Sequence, residues 1–381
     1  MQQFPLCADC LSRFDNSARV FLAPQGTDCH ICKGLLSKTP ELVKQAIASA
    51  RDGGFEWESF SVSSSFPKIV LMREQEVADF FAPNECTSLK NKINSELSAS
   101  VGDASKKKNS PKNPDAIFEF DFIKGIGRAK PATIYVHGHY NKLSRQHCQS
   151  RWHCSSCNGR GCPDCKGSGM NYPSVEEEIS KVLMRAFFAT DGILHASGRE
   201  DVDVRALGGG RPFIMELRNP KKRRADFSAL EAEFAANPAV QAKGLKLVRK
   251  EFIDTVCGSH FEKEYSALVG ADRPLTGVDA KKIEALSGQV LFQQTPTRVM
   301  HRRADMVRKR KVISLRAEPA ADGKLRLVIL AEAGTYIKEL ISSDSGRTKP
   351  SVAEMLSCKA VCEQLDVTAI HDFFLETIRI D

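Results

Sequence analysis

The first third of the chain alternates between two hydrophobic patterns, one with helical spacing and one with strand spacing. Segments predicted as helices lie at 40–51, 77–81 and 89–97, and segments predicted as strands lie at 66–72, 117–123 and 132–137. The polar, lysine-rich stretch 98–114 is expected to form a mobile loop. Helices and strands that alternate over this length predict a small α/β module.

The remainder of the chain predicts a larger sheet with helices beside it. Ser174 followed by Glu177 has the spacing of a helix capping box, and apolar residues then follow one helical face as far as Phe187. Strand-like runs follow at 202–207, 212–217, 312–317 and 324–332. The glycines 208–210 are interpreted as a turn between the first two runs, because they lack the Lys-Ser/Thr of a phosphate-binding loop. The expected fold class is α+β, with a mixed, mostly antiparallel sheet flanked by helices in the second half.

Length and charge narrow the range of functions. A chain of 381 residues with 42% hydrophobic residues is expected to build two or three domains. The net charge of +8 is concentrated in clusters at 106–108, 221–224, 243–250 and 298–311, which favours a nucleic-acid partner. Apolar runs are too short for a membrane span, and the amino terminus lacks the pattern of a signal peptide. We therefore expect a cytoplasmic protein with no membrane partner.

Eight of the thirteen cysteines occur in Cys-x-x-Cys pairs, a pattern typical of metal sites rather than of disulfides. Two pairs, Cys7 with Cys10 and Cys29 with Cys32, are separated by eighteen residues, as in a four-thiolate zinc ribbon. Residues 1–40 are therefore predicted to form a zinc-ribbon-like module around a structural Zn²⁺. The alternative is a group of reduced, buried cysteines without metal.

The other two pairs form a tandem Cys-x-x-Cys-x-Gly-x-Gly repeat within the segment 149–172. Its cysteines are Cys154, Cys157, Cys162 and Cys165. The glycines allow the positive φ that turns backbone amides toward the sulfurs. The repeat is similar to the zinc repeats of J-domain chaperones. Only four residues separate the two pairs, so two interpretations stay open: a second zinc site, or a mobile Cys/Gly-rich linker.

A short run of alternating charges places Asp201 between two arginines: Gly198-Arg199-Glu200-Asp201-Val202-Asp203-Val204-Arg205. Taken alone, this run is typical of the solvated face of an edge strand. However, Arg199-Glu200-Asp201 resembles the signature around the catalytic aspartate of pseudouridine synthases. The longer string from Ala196 to Arg205, with Gly210-Arg211-Pro212-Phe213 after it, resembles the Pus-ten family, which modifies the T arm of tRNA. The cysteine-rich insertion resembles the archaeal branch of that family.

This resemblance implies a THUMP-like RNA-binding domain at 41–148 and a pseudouridine synthase catalytic domain at 173–381. Asp201 takes the place of the catalytic aspartate, and Tyr265 takes the place of the tyrosine that stacks on the target base. Tyr336 would line the base pocket, and Lys338 would pair with Asp201 and keep it ionised. Tyr336 and Lys338 are expected on one face of a strand. The reaction has no redox step, so no cofactor is expected for catalysis.

Two further segments resemble family segments that reach toward RNA. The candidate phosphate ligands in them are Arg298, Arg302, Arg303, Arg347 and Lys349. The implied partner is tRNA, modified at uridine 54, uridine 55 or both, and no protein partner is evident. One alternative is a non-catalytic zinc-containing tRNA-binding or RNA-chaperone protein, against which the intact Asp201, Tyr265 and Lys338 argue. The other is a zinc-repeat protein-folding factor, against which the lack of a J-domain His-Pro-Asp signature argues.

Overall fold

The computed structural model describes residues 3–14, 20–23, 29–81, 86–301 and 303–374. The chain divides into two compact units. The first comprises Met1–Thr133, Ala186–Thr190 and Arg218–Ala225, and the second comprises Ile134–Arg185, Asp191–Leu217 and Asp226–Asp381. The predicted division into 1–40, 41–148, 149–172 and 173–381 stays a prediction. Across the described ranges, no helix is long and apolar enough to cross a membrane.

The first unit contains two small sheets with helices. Its helices are α1 (Ala8–Leu11), α2 (Thr39–Gly53), α3 (Lys68–Ala78) and α4 (Leu89–Ser105). Its strands are β1 (Phe4–Leu6), β2 (Val20–Leu22), β3 (Ser59–Ser65), β4 (Lys108–Asn109), β5 (Ala116–Asp121) and β6 (Ile126–Pro131). Strand β1 pairs with β2, and the other four follow the order β4-β3-β5-β6. The predicted α/β module therefore contains the expected helices at 40–51 and 89–97 and the expected strand at 117–123.

The apolar run 66–72, predicted as a strand, is instead the beginning of helix α3. Pro67 lacks a backbone N–H and precedes the first helical turn. Val70 and Val77, two helical turns apart, are buried, whereas Met72 is 66% exposed. The strand prediction was wrong because a short apolar run does not distinguish a strand from a helix. The loop predicted at 98–114 was wrong in part, since α4 continues to Ser105.

The chain from residue 134 onward carries a longer series of elements. Its helices are α5 (Val175–Phe187), α6 (Phe227–Ala235), α7 (Phe252–Cys257), α8 (Gly277–Glu284), α9 (Ile337–Ser342) and α10 (Val352–Leu356). Its strands are β7 (Ile134–Lys142), β8 (Asp191–Ala196), β9 (Arg205–Arg218), β10 (Val240–Val248), β11 (Lys263–Ala271), β12 (Val290–Gln294), β13 (Val307–Ala320), β14 (Lys324–Ala331), β15 (Thr348–Lys349) and β16 (Ala360–Ile370).

These ten strands of the described chain form one sheet. Their order is β10-β7-β9-β16-β11-β14-β13-β12-β15, and β8 pairs with β9. Strands β9 and β16 are parallel, whereas β16 with β11 and β7 with β9 are antiparallel. The predicted α+β class with a mixed, mostly antiparallel sheet is confirmed. Strand β16 stands between β9 and β11, so these three strands form the centre of the sheet.

The glycines 208–210 lie inside strand β9 rather than in a turn between two strands. Gly208 has a φ of 63°, and a Cβ there would lie 2.1 Å from the carbonyl oxygen of Thr368. Gly210 has a φ of 90°, and its Cβ would lie 2.9 Å from the carbonyl oxygen of Tyr140. The turn prediction was wrong because these glycines allow the backbone of neighbouring strands to approach closely. Sequence alone does not reveal such a contact.

Candidate active site

The second unit contains a cavity of about 450 Å³ beside the central strands, called here the Asp201 cavity. Its wall includes residues 198–202 and Val204 of the segment 198–204, which we call the Asp201 loop, together with residues of strand β11 and the start of α9. The segment 295–306, which connects β12 to β13, adds Arg298 and Arg303 to the wall. Asp201, Tyr265, Tyr336 and Lys338 all line this cavity, so residues from three distant segments of the sequence come together.

The carboxylate of Asp201 is held by two cations. Arg298 Nη1 donates hydrogen bonds to both carboxylate oxygens, at 2.9 and 2.7 Å, and Lys338 Nζ lies 3.3 Å from one of them. Burial by itself would raise the pKa of Asp201, but the charges of Arg298 and Lys338 outweigh it and lower the pKa below its ordinary value. Asp201 is therefore a carboxylate, not a carboxylic acid, at neutral pH.

Lys338 and Tyr336 reach the cavity from the start of a helix, not from a strand. Tyr336 is the N-cap of α9, and Lys338 lies in its first turn. The expected strand was wrong, yet both side chains line the same cavity. Lys338 Nζ also donates to the two carboxylate oxygens of Asp203, at 2.8 and 2.7 Å. The amine is thus shared between two aspartates of the Asp201 loop.

Tyr336 is fixed through both its backbone and its hydroxyl group. The buried side chain of Gln293 accepts a hydrogen bond from Tyr336 N and donates one to Tyr336 O, each at 2.9 Å. Arg303 Nη1 donates to the Tyr336 hydroxyl at 3.0 Å. Strand β12, which carries Gln293, therefore determines where the Tyr336 ring stands in the cavity wall.

Tyr265 contributes an aromatic ring from the central strand β11. The residue is only 7% exposed, so its ring is almost enclosed by protein. Burial raises the pKa of Tyr265 to about 12, although the nearby charge of Arg211 opposes the shift. The hydroxyl group consequently stays neutral across the physiological range, and Tyr265 offers a flat apolar surface rather than a charge.

The five candidate phosphate ligands occupy different environments. Arg298 and Arg303 line the cavity, and Lys349 is exposed on β15. Arg347 instead donates two hydrogen bonds to the carbonyl oxygen of Thr295, at 3.1 and 2.7 Å, and pairs with Asp305 at 2.6 Å. Arg347 thus connects the two ends of the 295–306 segment, at Thr295 and at Asp305. Arg302 lies outside the described residues, and contact of these side chains with phosphate stays a prediction.

Comparison with known families decides what this chain is related to. The family model described as Pus10, C-terminal, matches residues 135–371, which include every residue that lines the Asp201 cavity. The chain belongs to the Pus10 family. The resemblance drawn from Asp201 and its flanking residues is thereby confirmed.

Several Pus10 relatives match most of the chain, and each carries the name tRNA pseudouridine synthase Pus10. The relative from Korarchaeum cryptofilum is 37% identical over 353 residues, which cover 91% of this chain and 94% of the relative. The relative from Methanopyrus kandleri is 36% identical, with 92% and 82% covered, and that from Methanosphaera stadtmanae is 32% identical, with 97% of both covered. These relatives confirm membership in a family of isomerases with archaeal members.

Among solved structures, the chain is similar to one in the crystal structure of a Cbf5-Nop10-Gar1 complex. The match has a TM-score of 0.31 and 18% identity, and it covers 51% of this chain and 44% of that chain. At this score the likeness supports no conclusion about mechanism or partners.

Sequence analysis of this Pus10 chain missed a lysine behind the Asp201 loop. Lys142 is fully buried at the end of β7, and its Nζ donates hydrogen bonds to the backbone carbonyls of Asp201, Val202 and His147 at 2.8, 2.9 and 2.8 Å. Burial lowers the pKa of Lys142 to about 8, although the nearby charge of Glu200 opposes the shift. Lys142 therefore holds the backbone that directly follows the Asp201 side chain.

A second missed group is the buried network next to Asp201. The Tyr140 hydroxyl donates to Glu200 at 2.9 Å, and Arg211 Nε lies 2.8 Å from the Glu200 carboxylate. Gln149 donates to the Tyr140 hydroxyl at 2.9 Å and to the Gly198 carbonyl at 2.8 Å. Glu200 and Arg211 are both buried, and removing one partner of such a pair typically costs about 3–5 kcal/mol. This network therefore stabilises the residue that precedes Asp201.

Each cysteine quartet of the sequence is a compact group of sulfurs in the structure. In both quartets the four Sγ atoms lie within 4.8 Å of one another, so each group could hold a metal ion. In the second quartet, Gly161 N and Gly169 N each donate to a sulfur at 3.2 Å, and both glycines have positive φ. The interpretation of the segment 154–165 as a ligand cluster is thus favoured over that of a mobile linker.

Proposed function

We propose that this chain isomerises uridine to pseudouridine in the T arm of tRNA, with Asp201 as the reactive carboxylate. The names of the matched Pus10 relatives support the reaction and the substrate class. The observation that carries the proposal is the position of Asp201 on the wall of a cavity that it shares with Tyr265, Tyr336 and Lys338. Modification of position 54, position 55 or both is compatible with this site.

The reaction is an isomerisation, so the product contains the same atoms as the substrate. The N1–C1′ bond of uridine breaks, the uracil ring turns, and a bond forms between C5 and C1′. C5 loses a proton and N1 gains one, so no electron donor or acceptor takes part. A carboxylate is suited to this chemistry as a nucleophile or as a base toward the sugar or the ring. The lowered pKa of Asp201 keeps it in the ionised form that either role requires.

The aromatic residues of the cavity would receive the target base. A uridine within folded RNA must leave its stack, which costs a few kcal/mol, and stacking on an aromatic side chain returns about 1–3 kcal/mol. Tyr265 supplies a buried, neutral ring for this stacking, and the fixed Tyr336 supplies another part of the cavity wall. We expect both rings to act in the binding and turning of the base rather than in proton transfer.

The cations divide into two groups. Arg298 and Lys338 contact Asp201 directly, so we assign to them the orientation and ionisation of the carboxylate. Arg303 and Lys349 are exposed and can neutralise phosphates, which agrees with the net charge of +8. We assign additional tRNA contact to the first unit as a THUMP-like module.

We further propose that each cysteine quartet holds a structural zinc ion. A tetrahedral zinc with Zn–S bonds of about 2.3 Å requires sulfurs about 3.8 Å apart. The Sγ atoms of Cys7 and Cys32 are 3.6 Å apart, and those of Cys154 and Cys162 are 3.8 Å apart. The donor set, four thiols of which several are buried, fits zinc in both places. Its contribution would be folding energy, not chemistry at the uridine.

The test compares purified Asp201→Asn protein with the parent on an unmodified tRNA transcript, with pseudouridine mapped chemically. Asparagine keeps the size of the side chain but removes the charge, so we expect normal tRNA binding and no pseudouridine. Asp322→Asn, an exposed change at the β13–β14 turn, should leave activity unchanged. Asp203→Asn should retain partial activity, because it removes one partner of Lys338 but not the reactive carboxylate. Pseudouridine formed by Asp201→Asn protein free of host synthases would overturn the assignment, and tRNA binding without turnover by the parent would favour the non-catalytic alternative.

A further inference from the structure

Two exposed aromatic residues flank the second cysteine quartet. Trp152 precedes the quartet and Tyr172 follows it, and their ring centroids are 5.6 Å apart with an interplanar angle of 45°. Trp152 is 39% exposed and Tyr172 is 42% exposed. Large aromatic side chains that pair on a surface, rather than in a core, are typical of binding sites.

The segment between these residues is a closed module with the rings at its base. Asn171 N donates to the carbonyl oxygen of Trp152 at 2.9 Å, and Cys154 N donates to that of Gly169 at 2.8 Å. His153 and Met170 form an antiparallel bridge between the two arms. The pairing of the arms therefore brings the two rings together, and the cysteine quartet closes the opposite end.

The base of this module is attached to helix α5 of the second unit. The buried Glu176 accepts a hydrogen bond from Arg151 N at 2.9 Å. Cys148 N donates to Pro173 O at 3.0 Å, and Val175 N donates to Cys148 O at 2.9 Å. Both arms are thus fixed to the unit that contains the Asp201 cavity. Trp152 itself lines that cavity, together with Arg199 and Arg303.

We propose that Trp152, supported by Tyr172, stacks on an RNA base that neighbours the target uridine, and so forms a second base-binding subsite at the rim of the Asp201 cavity. This inference rests on the proposed function. When a uridine leaves its stack, the adjacent base loses a neighbour, and an exposed indole can replace it. Arg199 and Arg303 on the same cavity wall attract the phosphates on either side. Aromatic stacking tolerates any base, so the subsite selects for unpaired RNA rather than for a sequence.

The chain permits a direct optical test because it contains only two tryptophans. The other, Trp57, packs against Phe118 with ring centroids 5.2 Å apart, so Trp57→Phe keeps an aromatic ring there and leaves Trp152 as the single tryptophan. Titration of this full-length variant with unmodified tRNA transcript should quench the tryptophan emission in proportion to binding. Emission that does not change at saturating tRNA would overturn the proposal.

Affinity measurements supply a second readout. Trp152→Leu should weaken tRNA binding by about 5- to 150-fold. Trp152→Phe, which keeps a flat ring, should recover most of the affinity. If Trp152 had only a structural role, its substitution would lower the thermal stability or the zinc content, so both are measured for each variant. If Trp152→Leu protein is folded and binds tRNA as the parent does, the subsite does not exist.

The two proposals fail in different ways. If tRNA quenches Trp152 in the Trp57→Phe protein but the parent makes no pseudouridine, the proposed reaction is removed and the subsite is kept. Pseudouridine formation without quenching would remove the subsite and keep the reaction. A single-stranded RNA of unrelated sequence should quench Trp152 at higher concentration, because stacking does not read the base, whereas quenching by a protein partner alone would contradict the assignment.

Discussion

Lys142 Nζ donates a hydrogen bond to the backbone carbonyl of Asp201 over a distance of 2.8 Å, although the two residues are 59 positions apart in sequence. The same amine holds the carbonyls of Val202 and His147. This fully buried lysine donates three hydrogen bonds to backbone carbonyls and so fixes the conformation of the loop. The loop conformation in turn orients the Asp201 side chain. Lys142 is therefore a positioning residue for the proposed reaction, with no contact to the base expected.

Replacing Lys142 by methionine tests this relationship. Methionine keeps the length of the side chain but donates no hydrogen bond, so two carbonyls of the Asp201 loop lose their donor. A hydrogen bond from a charged group contributes about 1.5–3 kcal/mol, so we expect the single-turnover rate to fall by about 10- to 150-fold while tRNA affinity changes little. Lys243→Met removes an exposed donor on β10 and serves as the control. A folded Lys142→Met protein with the parental rate would contradict the assignment.

The ion pair of Lys338 with Asp201 predicts a pH dependence. The pKa of Asp201 is lowered because Arg298 and Lys338 outweigh the effect of burial. Lys338→Met removes one of these charges, so the pKa of Asp201 should rise and activity should be lost at a higher pH as the solution is acidified. Single-turnover rates measured across the acidic range, with folding checked at each pH, give the shift. Lys324→Met breaks a surface pair with Glu363 and should leave the profile unchanged. A shift toward lower pH would refute the electrostatic argument.

Two of the candidate phosphate ligands, Arg303 and Arg347, should respond differently to substitution. Arg303→Gln removes an exposed cation from the cavity wall, so the slope of log affinity against log salt should become shallower by about 1. Arg347→Gln instead breaks the bonds to Thr295 and Asp305, so it should reduce the free energy of unfolding by about 1–3 kcal/mol with little change in slope. Salt titrations and urea unfolding of both variants make the comparison. Equal salt slopes for Arg303→Gln and the parent would show that Arg303 neutralises no phosphate.

Metal content tests the two cysteine quartets separately. Cys10→Ser and Cys162→Ser should each lower the bound zinc by one equivalent per chain, and the double variant should lower it by two. Each single variant should also have a lower thermal stability, since structural zinc contributes to folding. Cys257→Ser changes an exposed cysteine outside both quartets and is the matched control. A zinc content in Cys162→Ser equal to that of the parent would limit the metal to the first quartet.

Local signals in the sequence predicted the elements that local interactions determine. Ser174 accepts a hydrogen bond from Glu177 N at 3.2 Å, as the capping spacing indicates, and helix α5 begins directly after it. The cysteine spacing predicted the two sulfur clusters, because residues a few positions apart on a tight turn point at one centre. The cavity residues Asp201, Tyr265, Tyr336 and Lys338 were found through family resemblance, and composition alone would not have separated them from core residues.

Long-range contacts account for what the sequence did not reveal. Whether an apolar run such as 66–72 forms a helix or a strand depends on what packs against it, and the glycines of β9 depend on backbone from other strands. The contacts of Lys142 and of the Glu200–Arg211 pair join residues that are far apart in the chain. Buried charges of this kind have no local signature, because only the folded sheet supplies their partners.

The central place of strand β16 has a consequence for the synthesis of the protein. Strands β9 and β11 leave the ribosome well before residues 360–370, yet these residues separate them in the finished sheet. The growing chain therefore holds two partial sheets with open inner edges, which are prone to pair wrongly until the late strand is added. Without residues 360–370, strands β9 and β11 have no strand between them to join the two partial sheets. The walls of the Asp201 cavity are therefore brought together only after residues 360–370 have been synthesised, and Leu365 and Val367 of this strand are themselves part of the wall.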